Sequence, residues 1–430
     1  MVCWRMYSMV NCVDTYKDSG VEWIGKIPQD WKLSKYKYFA RSGMGETILS
    51  EQLVENGIPV YSATQEEKVF GYVSEANVKL KCGDFVIPAR GNSIGCVTFV
   101  KNDLATCTQT TIFSKLNGIC NKFLYYCCLG LKDHWFNFDD TAIPQITVKQ
   151  VQNNPLPLPT IQVQQAIADY LDKKCGEIDK IVETEKAVIE KLKEYKQSII
   201  TEAVTKGLDK SVPLKDSGIE WIGKIPQHWE SIKLKFCTYI RARLGWKGLK
   251  AEEYVEEGYP FLSAFNIVNS KLVFEDLNFI NQFRYDESPE IKLQEDDVLL
   301  VKDGAGIGKC AIVENMSKPS TVNGSIAVIT TDNSLKGKFL YYYFLSNLFQ
   351  AYIDRLKDGM GVPHLFQSDL REITIVIPKV KEQQQIAEYL DKKCDEIDKA
   401  ITDKEKLIEK FTEYKKSLIY ECVTGKKEVA

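Results

Sequence analysis

Three short motifs in this 430-residue chain carry residue types that could do chemistry, and each lacks a part that the chemistry requires. Asp303-Gly-Ala-Gly-Ile-Gly308-Lys309-Cys310 has the glycines and the lysine of a phosphate loop. That loop needs Gly at the first of these positions and a Ser or Thr hydroxyl at the last, to hold magnesium. The acidic partner that a dinucleotide fold places about 20 residues further on is also missing. A tight turn between strands accounts for the glycines. Asn154-Pro155-Leu156-Pro157 lacks the adjacent second proline and the aromatic of the amino-methyltransferase motif. Glu290-Ile-Lys292 matches only part of a nuclease metal site, and such triplets are common by chance. Thirteen cysteines are irregularly spaced with no Cys-x-x-Cys pair, and the three histidines do not cluster. Zinc is therefore not expected. Reduced, buried thiols in a cytoplasmic protein are. The motifs imply no catalytic residue, no metal and no cofactor.

Hydrophobic residues make up 44% and charged residues 27%, enough apolar material for more than one core. No apolar run of about 18 residues suggests a membrane helix. The first 13 residues lack the apolar stretch of a signal peptide and match nothing later, so they read as an extension. The net charge of −3 excludes a generally basic nucleic-acid coat, though not local basic surfaces.

The strongest feature is self-similarity. DSGVEWIGKIPQDW (18–31) returns as DSGIEWIGKIPQHW (216–229), and QQAIADYLDKKC (164–175) returns as QQQIAEYLDKKC (383–394). Weaker matches lie between them in the same order. Ser62-Ala63 aligns with Ser263-Ala264, Arg90-Gly91 with Asp303-Gly304, Phe123-Leu-Tyr-Tyr126 with Phe339-Leu-Tyr-Tyr342, and Pro144 with Pro363. The offset grows from 198 through 201, 213 and 216 to 219, and the largest step lies between Ser263 and Asp303. A shared framework with divergent inserts suits two domains with different ligands.

Asp84–Pro88 and Asp297–Val301 read as strands, whereas Phe123–Leu131 and Phe339–Leu348 read as helices. After Pro159, apolar residues recur at Leu171, Ile178, Leu192 and Ile199, with Ile181, Val188 and Tyr195 as a companion row. After Pro378 the rows are Leu390, Ile397, Phe411 and Leu418, and Ala400, Leu407 and Tyr414. These are heptads held over about five repeats. Gly207 and Gly425 follow each one, where a left-handed cap is favourable. Neither helix can bury its stripe alone, and the economical partner is the other copy. The expected fold class is α+β, with two mixed α/β domains alternating with two long helices that pair as an antiparallel coiled coil. The expected segments are an extension (1–13), a first domain (14–160), a helix (161–207), a second domain (208–379), a helix (380–425) and a tail (426–430).

The two copies of the DSG-x-EWIGKIPQ segment, the Pro-x4-Gln-Gln approach to each helix, and Leu-Asp-Lys-Lys-Cys-x-Glu-Ile-Asp-Lys at Leu171 and Leu390 resemble the specificity subunit of type I restriction–modification enzymes. The resemblance covers almost the whole chain after residue 13. It implies two target-recognition domains, each reading half of a split site in double-stranded DNA. It also implies a helical spacer that docks methyltransferase subunits, expected to number two, and restriction subunits that complete the assembly. The family often carries Glu directly before the first Gln. Glu382 fits this and Val163 does not. A Glu there can reach back to an exposed backbone N–H, so the first helix is expected to fray at its start. Two competing classes are a coiled-coil scaffold with two protein-binding domains and a methyltransferase or nuclease fusion. Loss of DNA binding on neutralising Lys35, Lys37 and Arg41 separates the first, and activity of the chain alone with S-adenosylmethionine and DNA separates the second.

Basic segments interleaved with aromatics follow Trp31 and Trp229. Lys35, Lys37 and Arg41 in one copy, and Lys233, Lys235, Arg241, Arg243 and Lys247 in the other, are candidates for phosphate contact. Base readout requires side chains with paired donors and acceptors. Candidates beside glycines or turns are Arg90, Asn92, Gln109 and Gln145, then Asn266, Lys302, His364 and Gln367. Glu185 and Lys404 interrupt the apolar heptad rows at equivalent positions, 219 apart. An antiparallel pair would bring them together and fix its register.

Overall fold

The computed structural model describes residues 16–63, 69–137, 144–243, 249, 251–357 and 364–429. The N-terminal extension lies outside them. The chain divides into two compact units. One holds the residues up to Glu185 together with those from Glu405 onward, and the other holds Lys186–Lys404.

Each unit contains a mixed α/β globular part. In the first, a four-stranded antiparallel sheet runs in the order Ala40–Met44, Thr111–Leu116, Phe85–Pro88, Thr98–Phe99. In the second, the order is Thr238–Arg241, Ile326–Thr331, Val298–Val301, Cys310–Ile312. The central strands Phe85–Pro88 and Val298–Val301 are buried along their whole length, which is why they read as continuous apolar runs. The longer stretch between Ser263 and Asp303 carries a hairpin, Ile267–Val268 with Lys271–Leu272, and a short helix, Gln282–Asp286.

The long helices run from Ile161 to Lys206 and from Val380 to Val423. Gly207 and Gly425 follow at φ of 73° and 72°, the left-handed turn expected of them. The motifs around the helix starts prove to be joints. Gln164 is buried, accepts a hydrogen bond from the Cys120 backbone N–H (3.0 Å), and donates to the Pro159 carbonyl (3.0 Å). Gln383 does the same with the Lys336 N–H (2.8 Å) and the Pro378 carbonyl (2.9 Å), and also donates to Ser334 (2.9 Å). Cys120 and Lys336 cap the helices Asn121–Gly130 and Gly337–Leu345. The Pro-x4-Gln spacing thus lets one amide satisfy the incoming chain and the start of a neighbouring helix. Two turns on, Asp172 accepts from the Tyr126 hydroxyl (2.8 Å) and Asp391 from the Tyr342 hydroxyl (2.6 Å). Lys122 and Lys338 join the same carboxylates.

The sequence reading of the helices needs two corrections. Glu382 does not cap a backbone N–H. Its carboxylate accepts from the indole of fully buried Trp229 (3.1 Å) and meets His228 (2.7 Å). The first helix begins regularly without such a residue, with the Gln164 N–H bonded to the Thr160 carbonyl at 2.9 Å. The second correction concerns the companion row. Ile181, Tyr195, Leu407 and Tyr414 are exposed, and only Val188 and Ala400 are half-buried. The buried or half-buried row lies one residue further on, at Cys175, Val182, Ile189, Lys196 and Ala203, and at Cys394, Ile401, Ile408, Lys415 and Cys422. Steps of three and four share a face, and Cys and Lys did not mark the row as apolar. The Lys196 and Lys415 ammonium groups escape burial by pairing with Asp398 (2.7 Å) and Asp179 (2.6 Å), each within its own unit.

The eleven described cysteines are free, and eight are buried. Burial pushes the Cys175, Cys394 and Cys422 thiols up to about 11. No described helix is long and apolar enough to cross a membrane.

Replacing Gln383 by Ala removes the partner of three backbone groups at once, the buried Pro378 carbonyl and the part-buried Ser334 carbonyl and Lys336 N–H, at a cost on the order of 1–3 kcal/mol. Gln384→Ala, on the exposed side, is expected to stay within about 0.5 kcal/mol. Urea unfolding of the two variants checks this, and equal midpoints would contradict the joint.

Candidate nucleic-acid interface

Residues 55 apart in the sequence meet where the buried strand Phe85–Pro88 ends. Arg90 and Gln145 form a backbone bridge, flanked by hydrogen bonds from the Gly91 N–H to the Pro144 carbonyl (3.1 Å) and from the Ile146 N–H to the Ala89 carbonyl (2.9 Å). Gly91 takes φ of 73°, which lets the chain turn sharply and leaves Arg90, Asn92 and Gln145 exposed around it. The Ser93 hydroxyl ties the turn to the Ala63 carbonyl at 3.1 Å.

The second unit repeats this backbone with other side chains. Asp303 and His364 form the corresponding bridge, the Leu365 N–H donates to the Lys302 carbonyl (2.9 Å), and Gly304 has φ of 77°. Here the turn is internally paired. The Lys302 ammonium lies 2.7 Å from one Asp303 oxygen, and His364 Nδ1 meets the other. The His364 ring stands edge-on to the exposed Phe366 at 4.4 Å. Gln367 starts the helix Gln367–Glu372 and is half-buried. The glycines of Asp303–Gly308 thus form a turn between antiparallel strands, not a strand-to-helix phosphate loop.

The remaining candidates are dispersed. Gln109 is exposed and accepts from Thr47 (2.8 Å). Asn266 is buried, and its side-chain oxygen accepts from the Ser263 N–H (2.9 Å), so it shapes a turn rather than facing outward. That turn instead presents Phe265, 92% exposed, which sequence reasoning passed over because a single aromatic carries no pattern.

The two basic segments differ. Lys35, Lys37 and Arg41 are exposed, with the Lys37 ammonium 5.4 Å from the Tyr38 ring. In the second unit, Arg241 is a core residue and not a surface cation. Its guanidinium donates to fully buried Asp297 (2.8 Å) and to the Lys292 carbonyl (3.1 Å). Cation density along a sequence does not tell which face of a strand each side chain takes. Arg243 is half-buried, 4.0 Å from Glu287. Lys247 lies outside the described residues. Lys233 and Lys235 both bond Glu372, at 2.7 and 2.6 Å, and these two lysines hold its carboxyl down at about 2. Glu185 and Lys404 fall in different units, and neither is free. Among the described residues no His, Cys, Asp and Glu group is placed to hold a metal ion.

The type I restriction modification DNA specificity domain family matches this chain twice, over residues 28–194 and 226–410. The chain belongs to this family. It is 24% identical over 433 residues to the type I restriction enzyme MjaVIII specificity subunit of Methanocaldococcus jannaschii, covering 97% of this chain and 98% of that one. It is 21% identical over 369 residues to the EcoBI specificity subunit of Escherichia coli, covering 84% and 73%. Among solved structures, one from a study of complex assembly and conformational transition in the type I R-M system superposes with a TM-score of 0.73 at 14% identity, covering 93% and 99%. The HsdS subunit from Thermoanaerobacter tengcongensis gives 0.52 at 13% identity, covering 93% and 98%. Both matched stretches include the Gln and Asp joints.

Removing the Asp297 carboxylate leaves the Arg241 guanidinium buried without its counter-ion. Asp297→Ala is therefore expected to destabilise the protein by roughly 3–5 kcal/mol. Arg90→Ala, at an exposed turn, is expected to shift stability by less than about 0.5 kcal/mol. Thermal or urea unfolding distinguishes the core cation from the surface one.

Proposed function

We propose that this chain is the DNA-reading subunit of a type I restriction–modification complex, and that each globular part reads one half of a split site. The observation that carries this is the repeated turn. The same backbone bridge and positive-φ glycine occur in both units, with Arg90, Asn92 and Gln145 in one and Lys302, His364 and Gln367 in the other. A constant frame with exchanged polar side chains is what two readers of different bases require. Exposed cations such as Lys35, Lys37 and Arg41 supply a sequence-independent hold on the backbone.

The chain contributes binding energy and geometry, and partner subunits in the cytoplasm perform methylation and cleavage. Two methyltransferase subunits match the two repeats, and restriction subunits join through the assembled complex. The long helices form the spacer as an antiparallel coiled coil. Supporting this, Asp179 meets Lys415 and, 17 residues further on, Lys196 meets Asp398, 17 residues back. Glu185 and Lys404 form the proposed central pair. Exposed Leu407 and Tyr414, seven residues apart on the second helix, offer an apolar docking point for the methyltransferase subunits.

Exchanging residues 14–160 for the corresponding domain of another family member is expected to change one half of the methylated motif and leave the other intact. A change in both halves would contradict independent readers. Glu185→Lys and Lys404→Glu are each expected to lower stability, and the double exchange is expected to recover most of the loss. Failure of the exchange to rescue would remove the pair.

A further inference from the structure

The two units build one and the same surface from equivalent segments and give it different electrostatic character, cationic in the first and balanced in the second. In the first, the strand Lys32–Lys35 pairs with Pro155–Leu158, and the turn Tyr36–Tyr38 follows, with the Tyr36 N–H bonded to the Asn154 carbonyl at 3.0 Å. In the second, Glu230–Lys233 pairs with Thr374–Ile377, and the Leu234 N–H bonds the Ile373 carbonyl at 2.9 Å. Asn154 and Ile373 are equivalent by the offset of 219, so the backbone is conserved between the copies. Each surface is completed by a short helix, Val148–Asn153 or Gln367–Glu372.

The charges diverge. The first surface carries exposed Lys32, Lys35, Lys37 and Lys149, and its segments contain no acid. On the second, exposed Lys233, Lys235 and Arg371 are balanced by exposed Glu230, Asp369 and Glu372. The decisive position is the last residue of the short helix. Glu372 receives both lysine ammonium groups, whereas its counterpart Asn153 turns its amide back onto the Lys149 carbonyl at 2.8 Å. With its carboxyl held near 2, Glu372 stays ionised at any pH at which DNA binding is measured.

We infer that the two domains hold DNA unequally: the Lys35–Lys37 surface of the first domain contacts phosphates, and Glu372 silences the equivalent surface of the second. The inference rests on the DNA-reading function proposed above. A phosphate must displace Glu372 to reach Lys233 or Lys235, and the displaced carboxylate then opposes it, so little counter-ion release results. At Lys35 and Lys37 the same approach meets no acid from the segments that build the surface.

The test uses the chain co-purified with its methyltransferase subunits and a mixed-sequence DNA duplex, because non-specific binding isolates the electrostatic part. The slope of log affinity against log salt is measured for each variant. Lys35→Gln with Lys37→Gln is expected to flatten it by roughly 1–2, at about 0.9 per lost phosphate contact, whereas Lys233→Gln with Lys235→Gln is expected to change it by less than about 0.5. Glu372→Asn, which installs the first copy's residue at an exposed site, is expected to steepen the slope by about 1 or more and tighten low-salt binding at least about threefold. Equal effects of the two lysine pairs, or an unchanged slope in Glu372→Asn, would overturn the inference while DNA binding by the wild-type complex stands. Absence of DNA binding by the wild-type complex would overturn the proposed function itself, and the inference with it.

Discussion

A buried amide at the head of each long helix is the constraint on which the rest depends. Gln164 and Gln383 sit where a chain leaving the globular part turns into a helix, and where another helix of that part begins. The buried proline carbonyls and the part-buried helix-start N–H groups would otherwise lose their partners, which is costly. One glutamine resolves the conflict in each copy, and the Asp172 and Asp391 carboxylates add a second tie two turns later. The turns at Gly91 and Gly304 are therefore built on a base that cannot pivot freely on its helix.

That rigidity is what permits divergence elsewhere. With the joint fixed, the turn at Gly91 and its counterpart at Gly304 can change their polar side chains without moving the backbone that presents them. Compensated changes occur even beside the joint. Where the second copy has Glu382, it also has His228, and the pair satisfies the Trp229 indole. The first copy carries Val163 and Asp30 at those positions and starts its helix as regularly. The Glu382 carboxylate beside the buried indole is satisfied by both partners.

Much of this was legible in the sequence for a physical reason: long periodic elements write their geometry repeatedly. Forty or so residues of heptad pattern ending at Gly207 or Gly425 leave little choice but a helix, and a duplicated segment identifies its own counterpart. The glycines of Asp303–Gly308 could also be read as a strand-to-strand turn. Side-chain direction in short strands could not be read. Nothing in Thr-Tyr-Ile-Arg241 shows that the arginine turns inward to Asp297, 56 residues away. The choice between heptad rows was equally hidden, because cysteine and lysine occupy the buried one. Long-range pairings such as Arg90 with Gln145, or Glu372 with Lys233 and Lys235, depend on sheet topology, which local pattern does not encode.

The central claim is that one chain holds two DNA readers at a set spacing and lends them to partner enzymes. The most direct measurement is a genome-wide map of methylated adenines in cells with and without this gene. The account predicts that one split motif, two short specified halves around an unspecified gap, is methylated in the parent and vanishes on deletion. An unchanged map, or the loss of a continuous motif with no gap, would contradict it.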